Sequence, residues 1–141
     1  MSTPHVVRAL RFFETHADAI TEEQIRICSI PASPFGEQER AEYLSRKFSE
    51  LGLSEVEIDE EGNCLGLLRG SSRAPLLVVS AHLDTVFPKD TNFEVTRRAN
   101  KLFAPGIADD GCGVRLWIRN QGSVGTGSRD RHGPCGCELR R

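Results

Sequence analysis

The run Leu76-Leu77-Val78-Val79, entered from Pro75 and passing straight into Ser80-Ala81-His82-Leu83-Asp84, constrains the fold more than any other segment. Four consecutive apolar residues are too few for a buried helix and suit a central strand covered on both faces, the pattern of α/β sheets. In open α/β sheets the residues just past the C-terminal end of a strand are those presented to ligands. The polar segment after this run is therefore the first place to look for chemistry.

Upstream, the spacing predicts helices and then a hairpin. Pro4, Val6, Val7, Leu10 and Phe13 recur at helical intervals with proline in the first turn. Thr21-Glu22-Glu23-Gln24 has the capping-box form and predicts a short second helix through Ile25, Ile27 and Ile30, stopped by Pro31. Glu37 to Leu51 carries Ala41, Leu44, Phe48 and Leu51 on one stripe and exits at Gly52, predicting a third. Past Gly52 the apolar period shortens to two: Val56 and Ile58 alternate with acids, Glu61-Gly62-Asn63 supplies a turn, and Cys64 to Leu68 follows. Phe93–Thr96 and Lys101–Ala104 are weaker strand candidates, and Asp109-Asp110-Gly111 is placed to open a further helix.

Composition narrows the function classes. With 141 residues the chain is one domain, and 18 Lys+Arg against 20 Asp+Glu leave a net charge of −2. Such a balance supplies no field for nucleic acid or an anionic membrane, so neither is expected as a partner. No stretch approaches the roughly 18 apolar residues of a membrane span, and the N-terminus has no apolar signal core, which predicts a cytoplasmic protein. Five scattered cysteines without a Cys-x-x-Cys pair read as reduced thiols.

The totals conceal a break. Residues 1–114 hold 12 Lys+Arg and 18 acids, whereas residues 115–141 hold six arginines, two acids and five glycines. The division expected is an organised unit over 1–114 and an Arg/Gly-rich, disordered tail over 115–141. His132 with Cys135 and Cys137 lacks paired metal-ligand spacing, and the glycines of Gly122 to Ser128 have neither a following lysine nor a preceding strand to make a phosphate loop.

Two short motifs carry the chemistry. In an extended segment His82 and Asp84 point to the same side, so the carboxylate can orient the imidazole or both can approach a metal. Taken alone, a His-x-Asp is an ordinary surface pair. Gly106-Ile107-Ala108-Asp109-Asp110-Gly111-Cys112-Gly113 sets two acids among glycines, and taken alone an Asp-Asp-Gly is a helix cap or turn. Together, a histidine after one strand and a carboxylate after a later one make the mixed nitrogen and oxygen ligand set that zinc accepts.

Ser80-Ala81-His82-Leu83-Asp84-Thr85-Val86 and Ala104-Pro105-Gly106-Ile107-Ala108-Asp109-Asp110-Gly111 resemble the two N-terminal signatures of the dinuclear zinc peptidases and amide hydrolases. That family includes peptidase T, glutamate carboxypeptidase, acetylornithine deacetylase and aminoacylase. Ile30 to Glu37, Leu51-Gly52-Leu53 and Asp59 to Asn63 are similar to its opening segment in the same order, so the resemblance spans Thr21 to Val114. It implies an α/β domain of three layers, a mostly parallel sheet flanked by helices, with two zinc ions. His82 would bind one zinc, Asp109 would bridge the pair, and Asp84 would orient His82 as the catalytic second carboxylate. It also implies a cis peptide bond between Asp109 and Asp110, and a peptide or acyl-amino-acid substrate attacked by metal-activated water.

The sequence departs from the family beyond Asp110. The family's Glu-Glu pair, later acidic ligand and late histidine have no counterpart, since His132 and Glu138 are the only His and Glu that follow. The resemblance stops at Val114, as a frame change in the coding sequence or a genuine alternative C-terminus would produce. The expectation is a truncated fragment of a zinc peptidase catalytic domain, inactive alone. The alternative is a non-catalytic remnant that binds metal weakly or serves as an interaction module.

Overall fold

The structure, a computed structural model, describes residues 4–70, 76–111, 113–114 and the backbone of 135–140. Elements follow in the order α1 (Pro4–Thr15), α2 (Ala17–Ser29), α3 (Gln38–Glu50), β1 (Ser54–Ile58), β2 (Cys64–Leu68), β3 (Leu77–His82), β4 (Thr96–Arg98), β5 (Lys101–Phe103) and β6 (Cys135–Arg140). α2 begins four residues before the expected cap: Thr21 lies inside the helix, its hydroxyl donating to the Ala17 carbonyl at 2.8 Å. A Ser/Thr hydroxyl can bond back along the helix as readily as it caps one.

α3 ends as its sequence dictates. Gly52 sits at φ +78°, and the amides of Gly52 and Leu53 donate to the carbonyls of Ser49 and Phe48, each at 3.0 Å. This pair of bonds closes the last helical turn and needs a residue tolerant of left-handed φ. The chain then reverses into the β1–β2 hairpin, paired antiparallel, whose turn is held by Asp59. Its carboxylate accepts from the amides of Glu61 and Asn63 at 3.0 and 2.8 Å and from the Asn63 side chain at 2.8 Å.

The main sheet has the order β1-β2-β6-β3, and β4 and β5 form a separate two-stranded antiparallel unit. β6 pairs antiparallel with β2 and parallel with β3, whose His82 stands opposite Arg140. The sheet is thus mixed, with one parallel pairing among the three in it, and the mostly parallel three-layer arrangement expected from the sequence is not what these strands form. The reason is local: a hairpin as tight as Asp59–Asn63 can only join antiparallel strands. Six residues of the segment expected as a disordered tail form β6, where Cys135, Cys137 and Leu139 alternate with Gly136, Glu138 and Arg140 at the period of a strand. Residues 115–134 of that tail lie outside the described residues.

The core gathers Ile27 from α2, Ala41, Leu44 and Phe48 from α3, Leu53, Cys64, Ala81, Leu83 and Val114. Burying each large side chain of this set stabilises the fold by roughly 1.5–3 kcal/mol. β3 enters it only at its end: Ala81 and Leu83 are buried, whereas Leu76, Leu77, Val78 and Val79 are exposed. Among the described residues the double coverage expected for this strand is not seen, and α3 packs on β1 and β2.

Candidate active site

His82 is the last residue of β3, and the chain beyond it is fastened from two sides. Leu83 is fully buried, and its carbonyl accepts from Arg40 Nη1 of α3 at 2.6 Å. Thr85, also buried, donates its backbone amide to the Ala32 carbonyl at 2.7 Å, tying the strand exit to the loop after α2. Alternation in this anchored extended segment turns Leu83 inward and leaves His82 and Asp84 on the opposite side.

The second motif is held by α2. Gln24, buried, donates its side-chain amide to the Ile107 carbonyl at 2.6 Å, two residues before Asp109. The peptide bond between Asp109 and Asp110 is cis. The two acids have different partners. Asp110 Oδ1 accepts from the Gly113 amide at 3.0 Å, the bond of a helix N-cap, and a helical turn opens at Gly111. Asp109 faces outward, its side chain 88% exposed, and meets His82.

Around the imidazole, Nδ1 stands 3.0 Å from the Asp84 carbonyl and 3.1 Å from Asp84 Oδ1, and Nε2 stands 3.0 Å from Asp109 Oδ1. All three partners are hydrogen-bond acceptors. Nδ1 therefore carries a proton, and a bare Nε2 lone pair would face a carboxylate oxygen, so a cation belongs on that side: either a second proton or a metal ion. Burial is the largest single influence on the ring and pushes its pKa down. The hydrogen bonds to Asp109 and Asp84 outweigh it, and His82 lies above its usual 6.5.

The donor set fits zinc as part of a site. Two ligands of a tetrahedral zinc stand about 3.3 Å apart, and Nε2 and Asp109 Oδ1, at 3.0 Å, have nearly that edge length. Asp84 on Nδ1 is the orienting carboxylate usual behind a metal-bound histidine. A catalytic zinc takes three protein ligands plus an open position, and no group of three metal-binding side chains occurs among the described residues. His82, Asp84 and Asp109 line a cleft of about 330 Å³ with Thr85, Val86, Phe87, Gly106 and Ile107 among its walls. His132 lies outside the described residues, as do the side chains of Cys135 and Cys137.

Sequence reasoning missed Arg40. It lies on α3 with only 3% of its surface exposed, one guanidinium nitrogen on Leu83 and the other donating to the Ile30 carbonyl at 2.5 Å. Its place beside Ala41 on the amphipathic pattern is a faint signal, and its partners are 10 and 43 residues away.

No protein-family model matches the sequence, and no curated protein does. Solved structures match in fold. Aminopeptidase PepT from Bacillus cereus is 20% identical with a TM-score of 0.72, covering 85% of this chain and 35% of its own. The dipeptidase Dug1p from Saccharomyces cerevisiae is 12% identical with a TM-score of 0.80, covering 98% and 35%. Human carnosine dipeptidase 1 is 14% identical with a TM-score of 0.79, covering 94% and 34%. The chain has the fold of M20 family peptidases and spans about a third of the length of these structures. Among the described residues no helix is long and apolar enough to cross a membrane.

Proposed function

We propose that this chain carries part of the metal centre of a zinc-dependent peptidase or amide hydrolase, with His82 and Asp109 as ligands and Asp84 orienting His82. The observation that carries the reading is the imidazole set between two carboxylates, with its Nε2 at 3.0 Å from an outward-facing Asp109 across a cleft. Zinc bound there would supply a Lewis acid that polarises a peptide or acyl-amide carbonyl and lowers the pKa of a bound water.

The chain's own residues do the positioning. Asp84 holds the Nδ1 proton and so keeps the Nε2 lone pair aimed into the cleft when a metal replaces the second proton. Asp110 caps the following helical turn and thereby holds Asp109 outward. Thr85, Val86 and Phe87 form the cleft wall against which a substrate chain would lie. No glutamate reaches the cleft among the described residues to move a proton, so this chain of 141 residues binds zinc weakly and does not turn over substrate. Its thiols, Cys28 and Cys64 among them, suit a reducing compartment, and we assign it to the cytoplasm.

The test combines zinc titration with hydrolysis assays on dipeptides and N-acyl amino acids. Weak zinc binding that is lost in His82→Ala, without turnover, is the expected result. Chelator-sensitive hydrolysis lost in the same variant would refute the inactivity. Zinc binding indifferent to His82 would refute the metal centre.

A further inference from the structure

Arg40 is almost completely buried, yet its guanidinium touches no catalytic group directly. Its two terminal nitrogens span Leu83 and Ile30, the carbonyl between His82 and Asp84 and the carbonyl at the exit of α2. Nε, also buried, has no hydrogen-bond partner among the described residues. Burying a cation with one donor unsatisfied is costly, and a core of this kind could hold an apolar side chain at lower cost. Stability alone therefore does not account for arginine at this position.

The geometry points to Arg40 as the positioning residue of the metal centre: one arm of its fork holds the Leu83 carbonyl while the other is anchored on the Ile30 carbonyl, and this fixes the turn that sets Asp84 against His82 Nδ1. This deepens the metal-centre reading and rests on it only for the zinc readout. Three features support the assignment. Leu83 is the one residue separating His82 from Asp84, so rotation of its carbonyl displaces the Asp84 carboxylate. Burial weighs most against the guanidinium charge, and Cys28, then Asp84, then Glu37 offset part of it. The second arm, on Ile30, links the same turn to the helix whose Gln24 holds the loop before Asp109, so one cation couples both halves of the site.

A lysine keeps the charge but is a point donor that cannot reproduce a planar fork. Arg40→Lys and Arg40→Met are compared with Leu44→Ala, which loosens the same helix and the core it shares with Leu83 but removes no hydrogen bond to the turn. The readouts, by NMR, are the His82 Nδ1 proton resonance and Zn²⁺ affinity followed at the His82 ring. Both Arg40 variants are expected to lose the Nδ1 proton signal and to bind Zn²⁺ 10- to 100-fold more weakly, the range found when partners behind a metal ligand are removed. Leu44→Ala is expected to retain both within threefold. Lysine restoring wild-type behaviour, or Leu44→Ala reproducing the loss, would overturn the positioning role. If the wild-type ring ignores Zn²⁺ while the Arg40 variants still lose the Nδ1 proton, the metal reading fails and the positioning role stands. Should the variants not fold, the wild-type chain decides: a scalar coupling across the hydrogen bond from the Arg40 guanidinium to the Leu83 carbonyl is expected, and its absence contradicts the clamp.

Discussion

His82 Nε2 stands 3.0 Å from Asp109 Oδ1, although 27 residues separate the two in the chain. Neither residue reaches the other through its own element. β3 and the bond from Arg40 fix the histidine, and the bond from Gln24 to Ile107 fixes the loop that delivers the aspartate.

This pairing gives a pH dependence of definite sign in the absence of metal. The folded-state pKa of His82 is raised, so the ring holds its proton better folded than unfolded. The resulting stabilisation is fully present below about pH 6.5 and disappears as pH rises through the raised folded value. NMR titration should place His82 above 6.5, and Asp109→Asn should lower it. A wild-type value below 6.5 would contradict the ring's placement between two carboxylates.

Two glycines near the site leave no room for a side chain. Gly106 has φ +69°, and a Cβ there would lie 2.6 Å from Thr85 Cγ2; at Gly111 a Cβ would lie 2.3 Å from the sulfur of buried Cys28. Left-handed strain costs an L-residue roughly 1–2 kcal/mol, and overpacking a core costs about 1–3 kcal/mol. Gly106→Ala and Gly111→Ala should each lower the thermal midpoint by several degrees, and unchanged melting would show that these approaches are looser than described.

Much of this was legible in the sequence where a signal was local. α1, α3 and the β1–β2 hairpin follow from periodicity, Gly52 and the Asp59 turn, and the strand through Val79 led to His82 and Asp84. What was illegible depended on distant partners. β6 had the alternation of a strand, but glycines and arginines around it read as a tail, and only β2 and β3 on either side make it a strand. Local pattern does not single out Arg40, because the carbonyls that bury it belong to Ile30 and Leu83, 10 and 43 residues away. The adjacent acids Asp109 and Asp110 suggested both a cap and a ligand. Asp110 takes the first role, and Asp109 is the neighbour that faces His82.

Two phenylalanines test the core in opposite directions. Phe48 is fully buried against Leu44, Leu53 and their neighbours, whereas Phe35 is 86% exposed. Phe48→Ala should cost about 3–5 kcal/mol, and Phe35→Ala should stay within about 0.5 kcal/mol. Chemical denaturation of both variants measures the contrast, and similar losses would show the core to be misassigned.

Burial pushes the Cys64 thiol up to about 12. A thiol so protonated and so enclosed reacts slowly, because the thiolate is the nucleophile. Mass spectrometry after brief alkylation at pH 8 should find Cys64 unmodified in the folded chain and modified in urea. Rapid labelling under native conditions would place Cys64 outside the core.

The most direct test of the metal centre is a Zn²⁺ titration with the ring nitrogens of all four histidines observed by NMR. The pairing of His82 with Asp109 predicts a saturable change at His82 Nε2, with Nδ1 still protonated, and weakening of that change by at least tenfold in Asp109→Asn. Zinc that perturbs only His5, His16 or His132, or a His82 response that Asp109→Asn leaves intact, would contradict it.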